Sequence, residues 1–577
     1  MRNNKVKTTV IKAFNKNKIL SVFLIFLIIG VVLASLIPPQ ILKYIIDYNF
    51  TEKTIDGLID TAIFYIAILI LTGILDFLKE AVLTVLGQKI TKEIRLEMMI
   101  KLEKISTIYF SENETGQIVS RFTNDVDAIN SMFTTGIVGM IIDCFKIIGI
   151  IISVFIFSTK LGAIVLILFP VIYALTRLFQ KKMLYAQIEN RKLVGTVNNH
   201  ISESFKNIQM IKSFSKEDYM EKRYTELLEK NYETVEKVNF YDSVFSPIIR
   251  IIRAVVIASV VVLSSKQFNI LGISLGMIAA SIDLISSLFA PVENVGMELQ
   301  NIQKSISGIK RVNEFFNETE DIKKSNEEYK LDNKNLNISF NNMSFHYEEG
   351  NDILKNINFE IKPNEKVTFV GRTGVGKSTL FKLAAGLLQP SSGNITINNM
   401  DVFQIPNKYK RNIFGYVEQN FHMIKGTVAE QISVGDENIT IDQIKNALDF
   451  VGLTEYINNL ENSYDTIVKN ENIFSQGQKQ LLSIARATVT NPPIMLLDEI
   501  TANLDSVTEE KVVSVLQKSS EKHTILTISH RLSSMIASDK IVILENGRIK
   551  NSGTPEMLLN DDEWYRNHIK LEKLTWS

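Results

Sequence analysis

The sequence contains a single cysteine, Cys144, so it can build neither an internal disulfide framework nor a cysteine-rich metal site. It also lacks an excess of either charge: 63 Lys plus Arg stand against 63 Asp plus Glu. That balance argues against a bulk nucleic-acid binder, which usually carries a basic surplus. Its 577 residues are too many for one hydrophobic core, and several domains are expected. Mean hydropathy is +0.09, high for a soluble protein, and the average hides a split. Nearly all the long apolar runs lie before about residue 300, and the remainder reads as a soluble domain.

The apolar half holds six candidate spans, at about 19–37, 58–86, 134–157, 161–179, 244–265 and 270–291. Each approaches the ~20 residues needed to cross a hydrocarbon core. The first follows Arg2, Lys5, Lys7, Lys12, Lys16 and Lys18 with no acid among them. A cleaved signal peptide would have an apolar core of only about 7–15 residues, so an uncleaved helix is favoured. Lys and Arg are abundant in the N-terminal tail, in 88–132 and in 181–243, and sparse in 38–57, 158–160 and 266–269. The positive-inside rule therefore puts the N-terminus, both long connections and the soluble half in the cytoplasm.

Residues 88–110 continue the second span with helix formers, and 181–243 has the same character with a break near Ser213-Phe214-Ser215. The expected picture is six helices projecting beyond the bilayer, with short turns at the tips able to dock on a soluble domain. Two solvated hairpins without a partner are the alternative. Asp76, Lys79, Glu80, Asp143, Lys146, Arg250, Arg253 and Asp283 fall inside the spans. Charges at such depth are costly, so pairing, an interfacial position or a substrate cavity is expected for them.

The soluble half begins after a polar stretch at 317–335 that reads as a linker. The strand Lys366-Val367-Thr368-Phe369-Val370 leads into Gly371-Arg372-Thr373-Gly374-Val375-Gly376-Lys377-Ser378-Thr379, which fits the P-loop pattern. Glycines let backbone N–H groups wrap phosphates, Lys377 reaches the β/γ-phosphates and the Ser378 hydroxyl can ligate Mg²⁺. A buried-strand run, Ile494-Met495-Leu496-Leu497, ends in Asp498-Glu499. The C-terminal end of a parallel strand is where α/β sheets place ligands. There Asp498 would hold Mg²⁺ and Glu499 would polarise the attacking water as general base. A third strand, Thr524 to Ser529, ends at His530, which would point toward the same phosphates.

With Phe474-Ser475-Gln476-Gly477-Gln478-Lys479-Gln480 opening a helix, the chain resembles an ABC transporter, in particular a half-transporter of the six-helix exporter type. The resemblance covers nearly the whole chain. It implies an all-α membrane domain over 1–316, a linker over 317–335 and an α/β P-loop ATPase domain over 336–577. Ser475, Gly477 and Gln478 are implied to grip the γ-phosphate of ATP held by an opposite subunit, and Tyr347 to stack on adenine. Gln419 resembles the glutamine that senses Mg²⁺, and Asp505, in Thr501-Ala502-Asn503-Leu504-Asp505, belongs to a loop that communicates across the dimer. Phe110 with Thr115-Gly116-Gln117-Ile118-Val119-Ser120-Arg121 resembles a first coupling region, and Ile211-Lys212-Ser213-Phe214 with Glu217 a second.

Two departures stand out. Gln476 replaces the signature's usual first glycine, and 468–473 lacks the family's Gly-Glu-x-Gly character. In this family such asymmetry can accompany heterodimers with one weaker ATP site, or be neutral.

The resemblance implies ATP and Mg²⁺ as cofactors and a second half-transporter, identical or different, as partner. The implied activity is export of a small hydrophobic or amphipathic compound (drug, lipid or peptide) by alternating access. Import by the same fold, or an ATP-dependent membrane regulator without solute flux, are the alternatives. Nucleic acid is not an expected partner. The Asn-, Lys- and Ile-rich composition points to a bacterial plasma membrane. A first span beginning near residue 19 argues against an N-terminal peptidase domain, and no separate solute-binding domain is expected.

Overall fold

The computed structural model describes residues 4–50, 57–264, 274–321, 336–347, 350–419, 421–468, 473–500, 506–519, 523–529, 535 and 537–575. These form two compact units, one of Met1–Lys104 with Asn113–Glu318 and one of Ile105–Glu112 with Thr319–Ser577.

The first unit is helical. A short helix, Lys5–Lys16, starts where the Asn4 side chain accepts the Lys7 N–H. It lies against the long helix Leu58–Leu102 through Lys12–Glu97 at 2.8 Å and the pair Lys16–Glu93. That long helix has 45 residues, which at 1.5 Å per residue is about 68 Å, twice the hydrocarbon thickness. Further helices are Lys18–Tyr44, Thr159–Lys206, Glu217–Ser264 and Leu275–Asn317, and residues 115–157 run as helix with π turns at Arg121–Asp125 and Met132–Val138. Five helices among the described residues are long and apolar enough to cross a membrane. The expected span at 161–179 falls on Thr159–Lys206, where several side chains lie outside the described residues.

Apolar side chains point both ways, as a bilayer requires and water would not allow. Val154, Leu161, Ala280, Leu284 and Leu288 pack inside. Ile19, Phe77 and Ile156 are 87%, 71% and 73% exposed. Of the eight charges expected within the spans, Lys79 and Asp143 are buried. Lys79 bonds Asp76 at 2.8 Å and Glu80 at 3.0 Å, which is the paired arrangement.

One tie joins the ends of two helices. The carboxylate of Asp47 accepts the Ser274 hydroxyl at 2.6 Å and the Gly276 N–H at 2.8 Å, at the N-terminus of Leu275–Asn317. A side chain at position 276 would collide with the Lys43 carbonyl, 2.4 Å from the added carbon. Losing a capping carboxylate costs about 1–2 kcal/mol, so Asp47→Ala is expected to lower Tm by roughly 2–6 °C in a thermal-shift assay.

The helix that carries the second expected span ends at Leu102 rather than continuing to 110. The chain there turns into the second unit. Ile105 bridges Glu320, the Ser106 N–H donates to the Thr319 carbonyl, and Ile108 packs against the second unit's core. The short helix Thr107–Glu112 buries Tyr109. The break near Ser213 occurs as expected: helix Ile208–Ser213 stops and Ser215 takes φ 49°.

The second unit is α/β. Its strands are β1 Ile338–Phe345, β2 Leu354–Ile361, β3 Lys366–Gly371, β4 Ser392–Ile397, β5 Met400–Asp401, β6 Phe414–Val417, β7 Gly426–Thr427, β8 Ile467–Val468, β9 Ile494–Asp498, β10 Thr524–Ile528, β11 Lys540–Glu545 and β12 Arg548–Gly553. The main sheet has the order β12-β11-β3-β10-β9-β6, parallel except for the β12 edge. β2-β1-β4-β5 form a second, antiparallel sheet. Phe340, Phe345, Phe369, Phe381, Leu380 and Leu526 lie in one core that draws on both sheets and on the helix Lys377–Ala384. A second core, with Val428, Ile432, Leu448, Leu482 and Ile484, organises a helical region that includes Gln476–Thr488.

Candidate functional site

β3 is buried along nearly its whole length and stops at Gly371, where φ reaches 153°. A side chain there would put its first carbon 2.4 Å from the Leu544 carbonyl of the neighbouring strand, so only glycine fits the turn. Gly374 and Gly376 also take positive φ, at 84° and 102°. These turns place the first helical residues, Lys377 to Thr379, directly behind the loop, where the N–H groups and dipole of a helix N-terminus would favour an anion. Arg372, Thr373 and Gly374 are exposed, and Val375 and Gly376 partly so. Lys377 is buried, with its ammonium donating to the carbonyls of Gly371 at 2.8 Å and Arg372 at 3.2 Å. Burial pushes this ammonium below its usual range, against the pull of Glu499 and Asp498.

The parallel register β3-β10-β9 brings three strand ends together. Asp498, the last residue of β9, accepts the Ser378 hydroxyl at 3.4 Å. Its carboxyl is pushed up by burial and by Glu499, while Ser378 and Lys377 pull it down. Tyr416, on β6 beside it, is held above its ordinary range by burial first and by Asp498 and Glu418 next. Glu499 follows with φ 46°, left-handed and unusual for a residue with a side chain. Such backbone strain persists where surrounding structure enforces it, and here the Glu499 N–H donates to the Ile528 carbonyl at 3.0 Å. The Gln419 amide donates to the Glu499 carboxylate at 2.9 Å. Tyr347 stands edge-on to Phe345 at 4.9 Å, with its hydroxyl 3.4 Å from that of Thr379.

Thus Tyr347, the P-loop, Gln419, Asp498 and Glu499 form one connected set. His530 and Asp505 lie outside the described residues, as do 469–472 of the unusual segment before the signature. Ser475, Gly477 and Gln478 stand apart, at the start of another helix. There Ser475 and Gln478 close a capping box: the Gln478 N–H donates to the Ser475 hydroxyl at 3.3 Å and the Ser475 N–H to the Gln478 amide oxygen at 2.8 Å. Gln476 occupies the first helical position with its side chain exposed, so the replacement leaves the cap intact.

Sequence reasoning passed over two side chains of the signature helix. Gln480, 1% exposed, donates to the Gln419 carbonyl at 3.0 Å. Arg486 donates to the carbonyls of Gln431 at 2.7 Å and His422 at 3.2 Å and lies 4.2 Å from the Phe421 ring centre. Burial pushes Arg486 down to about 10. The available signal was a polar Gln480 four residues before Ile484, on an otherwise apolar helix face.

Oxygen donors suit Mg²⁺, and the set holds the Ser378 hydroxyl, the Asp498 carboxylate and the Gln419 side-chain amide. With Ser378 and Asp498 already 3.4 Å apart, these residues fit that ion.

The family model for the ABC transporter transmembrane region matches residues 21–292, and that for the ABC transporter ATP-binding portion, described as ABC transporter, matches 354–502. An uncharacterised ABC transporter ATP-binding protein of Bacillus subtilis, YknV, is 25% identical over 98% of this chain and 94% of its own length. The ATP-dependent lipid A-core flippase of Syntrophus aciditrophicus is 28% identical over 94% of this chain and 90% of its own. A bacterial Atm1-family ABC exporter solved with ATP bound shares the fold, with TM-score 0.78 and 22% identity over 95% of this chain and 98% of that one. The chain belongs to the ABC transporters, as an ATP-hydrolysing, multi-pass half-transporter of the exporter type with membrane and ATP-binding regions in one polypeptide.

Proposed function

We propose that this chain is one half of a bacterial plasma-membrane exporter that moves a hydrophobic or amphipathic compound by alternating access. The observation that carries the ATPase part is the meeting of the P-loop, Asp498, Glu499 and Gln419 at adjoining strand ends. Residues 1–316 serve translocation and 336–577 serve ATP, with 317–335 between them; the N-terminus and the ATPase face the cytoplasm.

Tyr347 stacks on adenine. N–H groups of Gly371 to Thr379 and the Lys377 ammonium hold the phosphates. Mg²⁺, held by Ser378, Asp498 and Gln419, supplies charge neutralisation on the phosphates. Glu499 takes a proton from the water that attacks the γ-phosphorus, and the bond to the bridging oxygen breaks to release ADP and phosphate. His530 steadies the γ-phosphate. Ser475, Gly477 and Gln478 face the nucleotide of a second half-transporter, and Asp505 links the two sites. Closing two ATPase domains on ATP would turn the cavity outward, and hydrolysis would reset it.

The lipid-like cargo named for one relative supports an amphipathic substrate class. Reconstitution into proteoliposomes tests this. ATP-driven accumulation of a fluorescent amphipath inside inside-out vesicles is the expected result. Movement in the reverse sense would mark an importer, and ATP turnover with no flux across a panel of amphipaths would mark a regulator. Native mass spectrometry of the same sample should show two copies, or else one copy that turns over ATP only with a different half-transporter added.

A further inference from the structure

Gln480 is a buried amide that is only half used. Its nitrogen donates to the main-chain carbonyl of Gln419, while its oxygen, fully enclosed, has no hydrogen-bond partner among the described residues. An unsatisfied buried acceptor costs about 1–3 kcal/mol, and Leu or Met would fill the same space without that cost. Stability alone therefore gives no reason for Gln here.

The bond it makes has a definite position in the site. The residue whose carbonyl it holds, Gln419, donates through its own side chain to Glu499 at 2.9 Å. Six residues further along the same helix, Arg486 grips the His422 carbonyl and the Phe421 ring. The helix thus holds the loop that carries Gln419 on both sides. The N-terminus of that helix is the Ser475–Gln478 capping box. Its 13 residues span about 20 Å and move as one element, so a displacement at Ser475 displaces Gln480 as well.

We propose that Gln480 is a positioning residue for this chain's own ATP hydrolysis: by holding the Gln419 carbonyl, it makes the helix that presents Ser475 also set where Gln419 places the Glu499 carboxylate. Engagement of Ser475 by a nucleotide on the partner subunit is then felt at Glu499 within the same polypeptide. The inference rests on the reading of Glu499 as base and of Ser475 as a nucleotide contact.

The test uses the full chain in lipid nanodiscs with ATP and Mg²⁺. Gln480→Met keeps side-chain length and helix propensity and removes the amide. The expected result is a kcat lower by about tenfold, a KM for ATP within about twofold of the parent, and an unchanged or higher Tm. In a Gln419→Ala background the same substitution is expected to add less than about twofold, because the lever it acts through is already gone. Gln480→Asn, whose amide falls one methylene short, should show the same split with a smaller loss and stands in should the Met variant not fold. An unchanged kcat in Gln480→Met would overturn the proposal. So would a full second loss in the Gln419→Ala background, or a lowered Tm with kcat and KM both altered, since each marks a merely structural role. Glu499→Gln runs alongside: turnover surviving there sinks the base assignment, whereas parental turnover in Gln480→Met beside an inactive Glu499→Gln sinks only the positioning role.

Discussion

Replacing Glu499 by Gln is expected to lower kcat for ATP at least ~100-fold while leaving KM within about threefold, because a general base contributes roughly 10²–10⁴ to a rate. The geometry separates the two parameters. The groups that would hold ATP are Tyr347, the P-loop N–H groups and Lys377, and none is removed. Gln keeps the shape of Glu and its amide oxygen can still accept from Gln419, so the 2.9 Å contact has a substitute. What disappears is the ability to accept a proton from water. Single-turnover phosphate release in nanodiscs measures this, with retained ATP binding as the control. A variant that hydrolyses within about threefold of the parent would assign the base to another residue. The left-handed backbone at Glu499 adds a corollary, since its φ of 46° goes with a main-chain bond from its N–H to Ile528 that the substitution leaves in place. The Gln variant should therefore keep the parental Tm.

The second large effect is on folding. Phe381→Ala is expected to destabilise the ATPase unit by about 3–5 kcal/mol, the usual cost of emptying a buried phenylalanine site. Phe381 is fully buried and meets Phe369 edge-to-face at 6.0 Å, and Phe369 meets Phe359 at 6.0 Å. The three rings run from β2 through β3 to the helix behind the P-loop. Edge-to-face pairs add about 0.5–1.5 kcal/mol beyond area, so the loss should fall at the upper end of that range. Because Phe381 lies one turn beyond Lys377, the cavity loosens the helix that orders the phosphate cradle. ATP affinity should fall together with the melting temperature of the ATPase transition, unlike the pattern at Glu499. Excess ATP should restore part of the lost Tm, as mass action on the folded state requires. A Phe381→Leu variant, which refills most of the volume, should recover most of both.

Much of this molecule was legible before folding was considered, because its chemistry is carried by contiguous stretches. A phosphate cradle needs glycines, a lysine and a hydroxyl within nine consecutive residues, and 371–379 has them in that order. The acidic pair after Ile494–Leu497 was likewise readable from a strand that must end at the ligand edge. Lipid-facing helices announce themselves by length and hydropathy. Element ends were read less well. The second long helix stops at Leu102 because 105–112 is taken up by the ATPase core, a contact that local helix-forming residues cannot reveal.

The sequence by itself determined the two-part architecture, pointed to the family by resemblance, and singled out the residues proposed to handle phosphate, since these rest on local pattern and contiguous motifs. Tertiary structure alone decided which distant groups meet. Gln419 and Glu499 are 80 positions apart and Gln480 and Gln419 are 61 apart, yet both pairs are hydrogen-bonded. Their meeting depends on strand order in the sheet and on a helix packed from a different core, and a polar residue's burial shows only once its neighbours are in place. Asp47 and Ser274 likewise become partners only when two helix ends are brought together across 227 positions of chain. Long-range pairing of this kind is set by packing of whole elements, which single-residue preferences do not encode.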